Sequence, residues 1–180
     1  DIDPVMVFTV IGIILAAVFV AMVISILLSI FIWNPLEVGC QKFFINCKYG
    51  NAELGDIAYG FKNGYAHIGM IMFLRGLFTG LWMLLFIIPG IVKSYEYMMI
   101  PYLLAEHPEM TRQEAFAESK QMMDGNKWDA FVLDLSFIGW TLLGVCTFGI
   151  LLVFYVEPYI YLTRAELYHA LKNNNKSVEF

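Results

Sequence analysis

Residues 5–32 run for 28 consecutive positions without one charged side chain. A helix that crosses a bilayer needs about 18 to 20 such residues, so this run constrains the fold more than any other feature. At 1.5 Å per residue it reaches about 42 Å as a helix, longer than a hydrocarbon core of ~30 Å. It therefore has to tilt, bend or project beyond the bilayer. It does not resemble a cleavable signal peptide, which carries an apolar stretch of about 7 to 15 residues behind a basic flank. Here the flank is Asp1-Ile2-Asp3-Pro4, and with no initiating Met further residues ahead of Asp1 are expected.

The remainder is of the same character. The chain is 59% hydrophobic and 15% charged, against roughly 25% charged in an ordinary soluble domain. Too little polar surface is left to cover a water-soluble globule. Residues 1–180 are thus expected to form one all-α integral membrane domain, a polytopic transmembrane helical bundle whose first partner is the lipid bilayer. A net charge of −5 offers no basic patch, which excludes nucleic-acid binding. Cys40, Cys47 and Cys146 show no CxxC or CxxH spacing, and His67, His107 and His169 stand alone. No disulfide framework, metal site or cofactor is expected from them.

Further apolar runs occupy residues 68–88, 91–105, 128–143 and 150–162, with a weaker one at 36–46. Between them stand Asn34-Pro35, Pro89-Gly90 and Phe148-Gly149. Proline removes a helix hydrogen bond and glycine admits positive φ, so Pro35, Pro89, Gly90 and Gly149 are expected as turns or breaks. The pattern becomes oily segment, turn, weaker return, polar exit: about six membrane segments in three hairpins. "IPYLLAE" (100–106) and "EPYIYLTRAE" (157–166) share a phrase, which suggests an internal repeat. The polar exits then share one side with Lys48, Lys62, Arg112, Lys120, Lys127, Lys172 and Lys176, whereas the turns hold no Lys or Arg. That asymmetry places the basic loops and the C-terminus in the cytoplasm. A four-span alternative treats 36–46 as loop and 68–105 as one kinked helix. Re-entry of 36–46, which carries Glu37 and Lys42, is a further variant.

Two exits contain short amphipathic helices. Leu54, Ile57, Ala58 and Phe61 fall at i, i+3, i+4, i+7. Thr111-Arg112-Gln113-Glu114 is a capping box that starts a helix expected to reach about Met123 and stop at Gly125. Packing on the membrane surface accounts for both helices. The sharper alternative is docking of a cytoplasmic protein partner through Leu54, Phe61, Phe116 and Met123.

Residues 84–140, "LLFIIPGIVKSYEYMMIPYLLAEHPEMTRQEAFAESKQMMDGNKWDAFVLDLSFIGW", resemble the DUF975 family of bacterial integral membrane proteins. The likeness rests on the IIPGI-K-Y-Y-PY run, the A…S…M-G-KW run after it, and "LDLSFIGW". "NPLEVGCQKFF" and "PYIYLTRAELY" fit as well, so the resemblance extends over nearly the whole chain from residue 34. It implies a bacterial cell membrane and no assigned function. Family members usually begin with a basic amphipathic segment, which this chain lacks. The family is also similar, distantly, to the membrane domain found beside glycerophosphodiesterases; that likeness does not carry the catalytic activity.

Arg75, Lys93, Glu96, Asp134, Glu157 and Arg164 lie within or at the ends of the apolar segments. A charge at mid-bilayer costs about 2.5 to 3.5 kcal/mol, so such groups face a bundle interior and pair. Depths counted from the expected turns predict an outer cluster of Lys93, Glu96 and Glu157 and an inner pair of Arg75 with Asp134. Locking helices together is the plainest role for these pairs. The chain is accordingly expected to be a non-catalytic membrane module: a scaffold, assembly factor or accessory subunit. The alternatives are a small transporter or channel, as a homo-oligomer, and a lipid-binding or lipid-processing protein opening near Tyr95 and Tyr102.

Overall fold

A computed structural model describes residues 4–147 and 149–178, and every regular element among them is helical. Helix α1 (Pro4–Leu28) continues through a π-helical turn, Ser29–Trp33, into α2 (Asn34–Lys48). The turn expected at Asn34-Pro35 and the return over 36–46 are therefore absent. Pro35 cannot donate to the carbonyl of Phe31, and its ring crowds the preceding turn. The wider π turn relieves the crowding, and the Tyr65 hydroxyl donates to the Phe31 carbonyl at 2.6 Å in place of the missing amide. With both problems solved locally, the helix runs on.

A 3-10 turn, Leu54–Ala58, and the short α3 (Tyr59–Lys62) fold back along α2. Backbone meets backbone there: a Cβ on Gly39 would lie 2.0 Å from the Ile57 carbonyl oxygen, and one on Gly60 2.2 Å from that of Pro35. Helix α4 (Tyr65–Leu85) then pairs with α5 (Ile87–Glu96). The reversal between them is at Phe86 (φ −152, ψ 127), not at Pro89-Gly90. Pro89 is the third residue of α5, where a backbone amide has no intrahelical partner to lose. Gly90 is buried against α4, where a Cβ would come within 2.6 Å of Met83 Cα.

After a break come α6 (Ile100–Glu106) and α7 (Arg112–Met123), then α8 (Lys127–Ser136) and α9 (Ile138–Cys146). Gly149 turns the chain at φ 81; Phe148, its expected companion, and the Lys176 side chain lie outside the described residues. A second π turn, Leu152–Val156, leads into α10 (Glu157–Val178).

Burial divides the molecule into two parts. Helices α2, α6, α7, α10 and the first half of α4 supply the core, with Val38, Ile68, Met99, Leu104, Met123 and Tyr168 all fully buried. Tyr102 stacks on Tyr168 with ring centroids 5.4 Å apart. Beyond this core most apolar side chains face outward, along α1, at the α4–α5 tip and over much of α8 and α9, with Phe8, Leu84 and Phe154 mostly exposed; Ala130 and Phe137 of that last stretch are buried. Among the described residues three helices are long and apolar enough to cross a membrane: Val5–Lys48, Tyr65–Leu85 and Lys127–Cys146. Pro35, Pro101 and Pro158 each stand second in a core helix, so the two "PY" phrases mark where the chain enters the core.

Helix α7 carries its capping box. The Glu114 amide donates to Thr111 Oγ1 at 3.4 Å, and the Thr111 amide donates to Glu114 Oε2 at 2.9 Å. Gly125 follows at φ 76. The face proposed for a partner is turned inward, however. Met123 is fully buried, and the Phe116 ring packs against Tyr97 at 4.9 Å and Phe78 at 5.8 Å. Leu54 stays exposed, and Phe61 stacks on Tyr65 at 5.8 Å.

Candidate functional site

The tripeptide Tyr95-Glu96-Tyr97, at the junction of arms and core, gathers contacts from α4, α7 and α8. The cause is Pro101, which has no amide to offer the Tyr97 carbonyl four residues back. The helix opens between α5 and α6, and its freed backbone groups find side-chain partners, as buried peptide groups must. Arg75 Nε of α4 donates to the Tyr97 carbonyl at 3.1 Å. The fully buried Ser119 of α7 donates to the Glu96 carbonyl at 2.8 Å and accepts from the Met99 amide at 3.3 Å.

Three ion-pair clusters ring this break. Arg75 Nη1 reaches Glu37 Oε1 of α2 at 2.9 Å. Asp134 of α8 accepts from Arg164 of α10 at 3.0 Å and from the Tyr95 hydroxyl at 3.0 Å. Glu96, only 2% exposed, meets Lys93 at 2.8 Å, Lys127 at 3.7 Å and Lys120 at 3.8 Å.

The structure brings Lys93 and Glu96 together but does not pair Arg75 with Asp134. Because α2 continues α1 instead of turning back, it carries Glu37 alongside Arg75. Glu157 is exposed at the head of α10 and stands outside the Glu96 cluster. Moving the reversal from Pro89 to Phe86 draws Lys93 and Glu96 towards the core, within reach of Lys120 and Lys127.

A family model described as "Protein of unknown function (DUF975)" matches residues 70–175. The chain belongs to the DUF975 family. No curated protein and no solved structure matches it. In this DUF975 protein every residue of the three clusters except Glu37 lies within the matched stretch. Its three apolar helices point to membrane association.

Sequence reasoning missed Glu37, Ser119, Lys120 and Lys127 as parts of the site. One signal was present: a proline four residues after Tyr97, in a segment otherwise helical, announces an orphaned carbonyl in need of a donor. Nothing in the spacing says that Arg75 supplies it. Chemically the site is a set of carboxylates already engaged by cations. Among the described residues no three His, Cys, Asp or Glu side chains are grouped to hold a metal.

A further polar cluster lies at the far end of the core. Glu106 accepts from the Tyr168 hydroxyl at 2.6 Å and pairs with Lys172. Burial pushes the Glu106 carboxyl up, but the hydrogen bonds from Lys172 and Tyr168 outweigh it and hold the group below the usual range. Burial, aided by nearby Lys48, pushes the His169 imidazole down. Both folded values are depressed, so the unfolded chain binds more protons in acid and stability falls as pH falls. The His169 contribution is complete above its ordinary value of 6.5 and is lost as pH drops through its lower folded value. That of Glu106 is lost in the same way below 4.5. Thermal unfolding in detergent from pH 8 to pH 3 should show the midpoint falling in two stages, and His169→Gln should remove the upper one. An unchanged upper stage would count against the buried neutral imidazole.

Proposed function

We propose that this protein is a non-catalytic membrane module, a scaffold or accessory subunit. In this reading the apolar arms lie in a bacterial cell membrane and the basic end of the core faces the cytoplasm, in line with the positive-inside tendency. One observation carries it. The carboxylates at the arm–core junction are spent on its cations, and Arg75 also on the broken backbone of α5–α6, an arrangement that fastens helices. Helix α1 is exposed on all sides, which suits a helix that docks against another membrane helix, in a partner protein or in a second copy.

Photo-crosslinking groups placed singly at Leu15, Val18, Phe19, Val20 and Met22 test this in native membranes. Protein adducts confined to positions three or four apart are expected, the mark of one helix face at an interface. Lipid adducts of equal yield at all five positions would reject it. Transport is the second reading, favoured by a cavity of about 300 Å³ that Asp134 and Arg164 line together with Phe137 and Thr141. Ion or proton flux into vesicles that depends on Asp134 would select it.

A further inference from the structure

The Glu96 cluster holds three ammonium groups against one carboxylate. Among the described residues no other acidic side chain lies within 4 Å of Lys93, Lys120 or Lys127. Lys93 takes the short contact, and its ammonium also lies 5.8 Å from the ring centre of Trp82 and 5.7 Å from that of Tyr97. Lys120 and Lys127, at 3.8 and 3.7 Å, stand beyond hydrogen-bond distance of Glu96. Each keeps its N–H donors uncommitted, and the Lys120 side chain is 66% exposed. An excess of two positive charges at one spot calls for a second anion.

Lys127 belongs to a second feature as well. It lines a groove of about 390 Å³ between α5 and α8, together with Ile88, Ile91, Val92, Tyr95, Trp128 and Phe131. Apart from Lys127 the lining is apolar or aromatic, and the groove opens sideways among the exposed side chains of the arms. Trp128, 70% exposed, stands beside Lys127. Tryptophan favours this position at a lipid headgroup boundary, where one end of the ring is apolar and the other wet.

We propose that this is a binding site for one anionic phospholipid. The phosphate headgroup sits on Lys120 and Lys127, and one acyl chain lies in the groove along α5 and α8. Glu96 holds the lysines in place from below, and its single charge leaves the excess that a phosphate with net negative charge offsets. A zwitterionic lipid carries its own cation and gains less. Charge complementarity and the continuity of groove with cluster, through Lys127, carry this assignment. It goes beyond the scaffold role and does not depend on it, since it requires only that the arms lie in lipid.

The test uses the full chain, delipidated in neutral detergent, with native mass spectrometry against phosphatidylglycerol and phosphatidylcholine of the same acyl chains. The wild type should retain one phosphatidylglycerol in preference to phosphatidylcholine. Each lysine near such a surface is worth about fivefold in affinity, so Lys120→Gln with Lys127→Gln should weaken phosphatidylglycerol about 25-fold and leave phosphatidylcholine unchanged. Arginine at both positions should restore the preference. Should the double variant fail to fold, Lys120→Gln alone, at an exposed side chain, should still cost about fivefold. Equal retention of both lipids by the wild type would overturn the proposal, as would a preference that Lys120→Gln leaves undiminished. Glycerophosphate, the headgroup without chains, should compete poorly. If it displaces phosphatidylglycerol at equal concentration, the groove plays no part and the site belongs to a soluble phosphate.

Discussion

Arg75→Ala should lower the stability of the folded chain by about 2 to 3 kcal/mol, and the loss should have two separable origins. The first is the ion pair with Glu37. Both side chains are partly exposed, 25% and 39%, so the pair is worth less than the 3 to 5 kcal/mol lost when a fully buried pair is broken, and about 1 to 2 kcal/mol is expected. The second is the Tyr97 carbonyl, which Pro101 deprives of its i+4 donor, so that it accepts from Arg75 Nε at 3.1 Å and, at a longer 3.4 Å, from the Ile100 amide. Losing the shorter of two bonds to a part-buried acceptor costs about 1 kcal/mol. Double-mutant cycles read by thermal unfolding in detergent separate the two. Arg75→Ala and Glu37→Ala should be non-additive by about 1 to 2 kcal/mol, whereas Arg75→Ala and Asp134→Ala should add within about 0.5 kcal/mol. Pro101→Ala restores an amide to that turn, so it should recover about 1 kcal/mol in the Arg75→Ala background and little in the wild type. Coupling of Arg75 to Asp134 in place of Glu37 would show that the helices are arranged differently.

The parts of this fold that were legible in the sequence are those decided within a few residues. The charge-free run at 5–32, the capping box at Thr111, the stop at Gly125 and the one-turn spacing of Lys93 and Glu96 are all local facts, and local chemistry settles them. Pro35 shows the limit. Whether a proline turns a chain or merely bends a helix depends on whether another donor reaches the carbonyl it orphans. Here the donor is Tyr65, 34 residues away. The hairpin tip shows a second limit: Pro89-Gly90 carries turn chemistry and Phe86 carries none, yet the chain reverses at Phe86. Glycine at 90 serves close packing on Met83 instead. A third concerns faces. An amphipathic stripe says that one side of α7 is covered, and cannot say by what. Phe116 and Met123 proved to be covered by this chain's own core. The three-lysine cluster was illegible for the same reason, because Lys93, Lys120 and Lys127 meet only through the packing of α5, α7 and α8.

Glu96→Gln should be the most damaging single substitution at the junction, at about 3 kcal/mol. The Glu96 side chain is only 3% exposed, and among the described residues it is the sole counter-charge within 4 Å of three ammonium groups. Glutamine keeps the shape and leaves those cations to repel one another. The cations left behind are only partly desolvated, with Lys93 26%, Lys127 29% and Lys120 66% exposed, so the loss lies at the lower end of what breaking a buried ionic cluster costs. The Ser119 hydroxyl bonds the Glu96 backbone carbonyl, not the carboxylate, so the helix break itself should survive and the loss should be electrostatic. Two consequences follow from that. At 1 M salt the screening length falls to about 3 Å, and part of the lost stability should return. Removing one of the competing cations should also help, so Glu96→Gln with Lys120→Gln should be more stable than Glu96→Gln alone. In the wild type, where Glu96 still attracts it, Lys120→Gln should be close to neutral, as befits a largely exposed side chain. Unfolding midpoints in detergent at low and high salt measure all of these. If Glu96→Gln unfolds at the wild-type temperature, or if salt does nothing for it, the three lysines do not depend on Glu96 and the cluster is not an electrostatic unit.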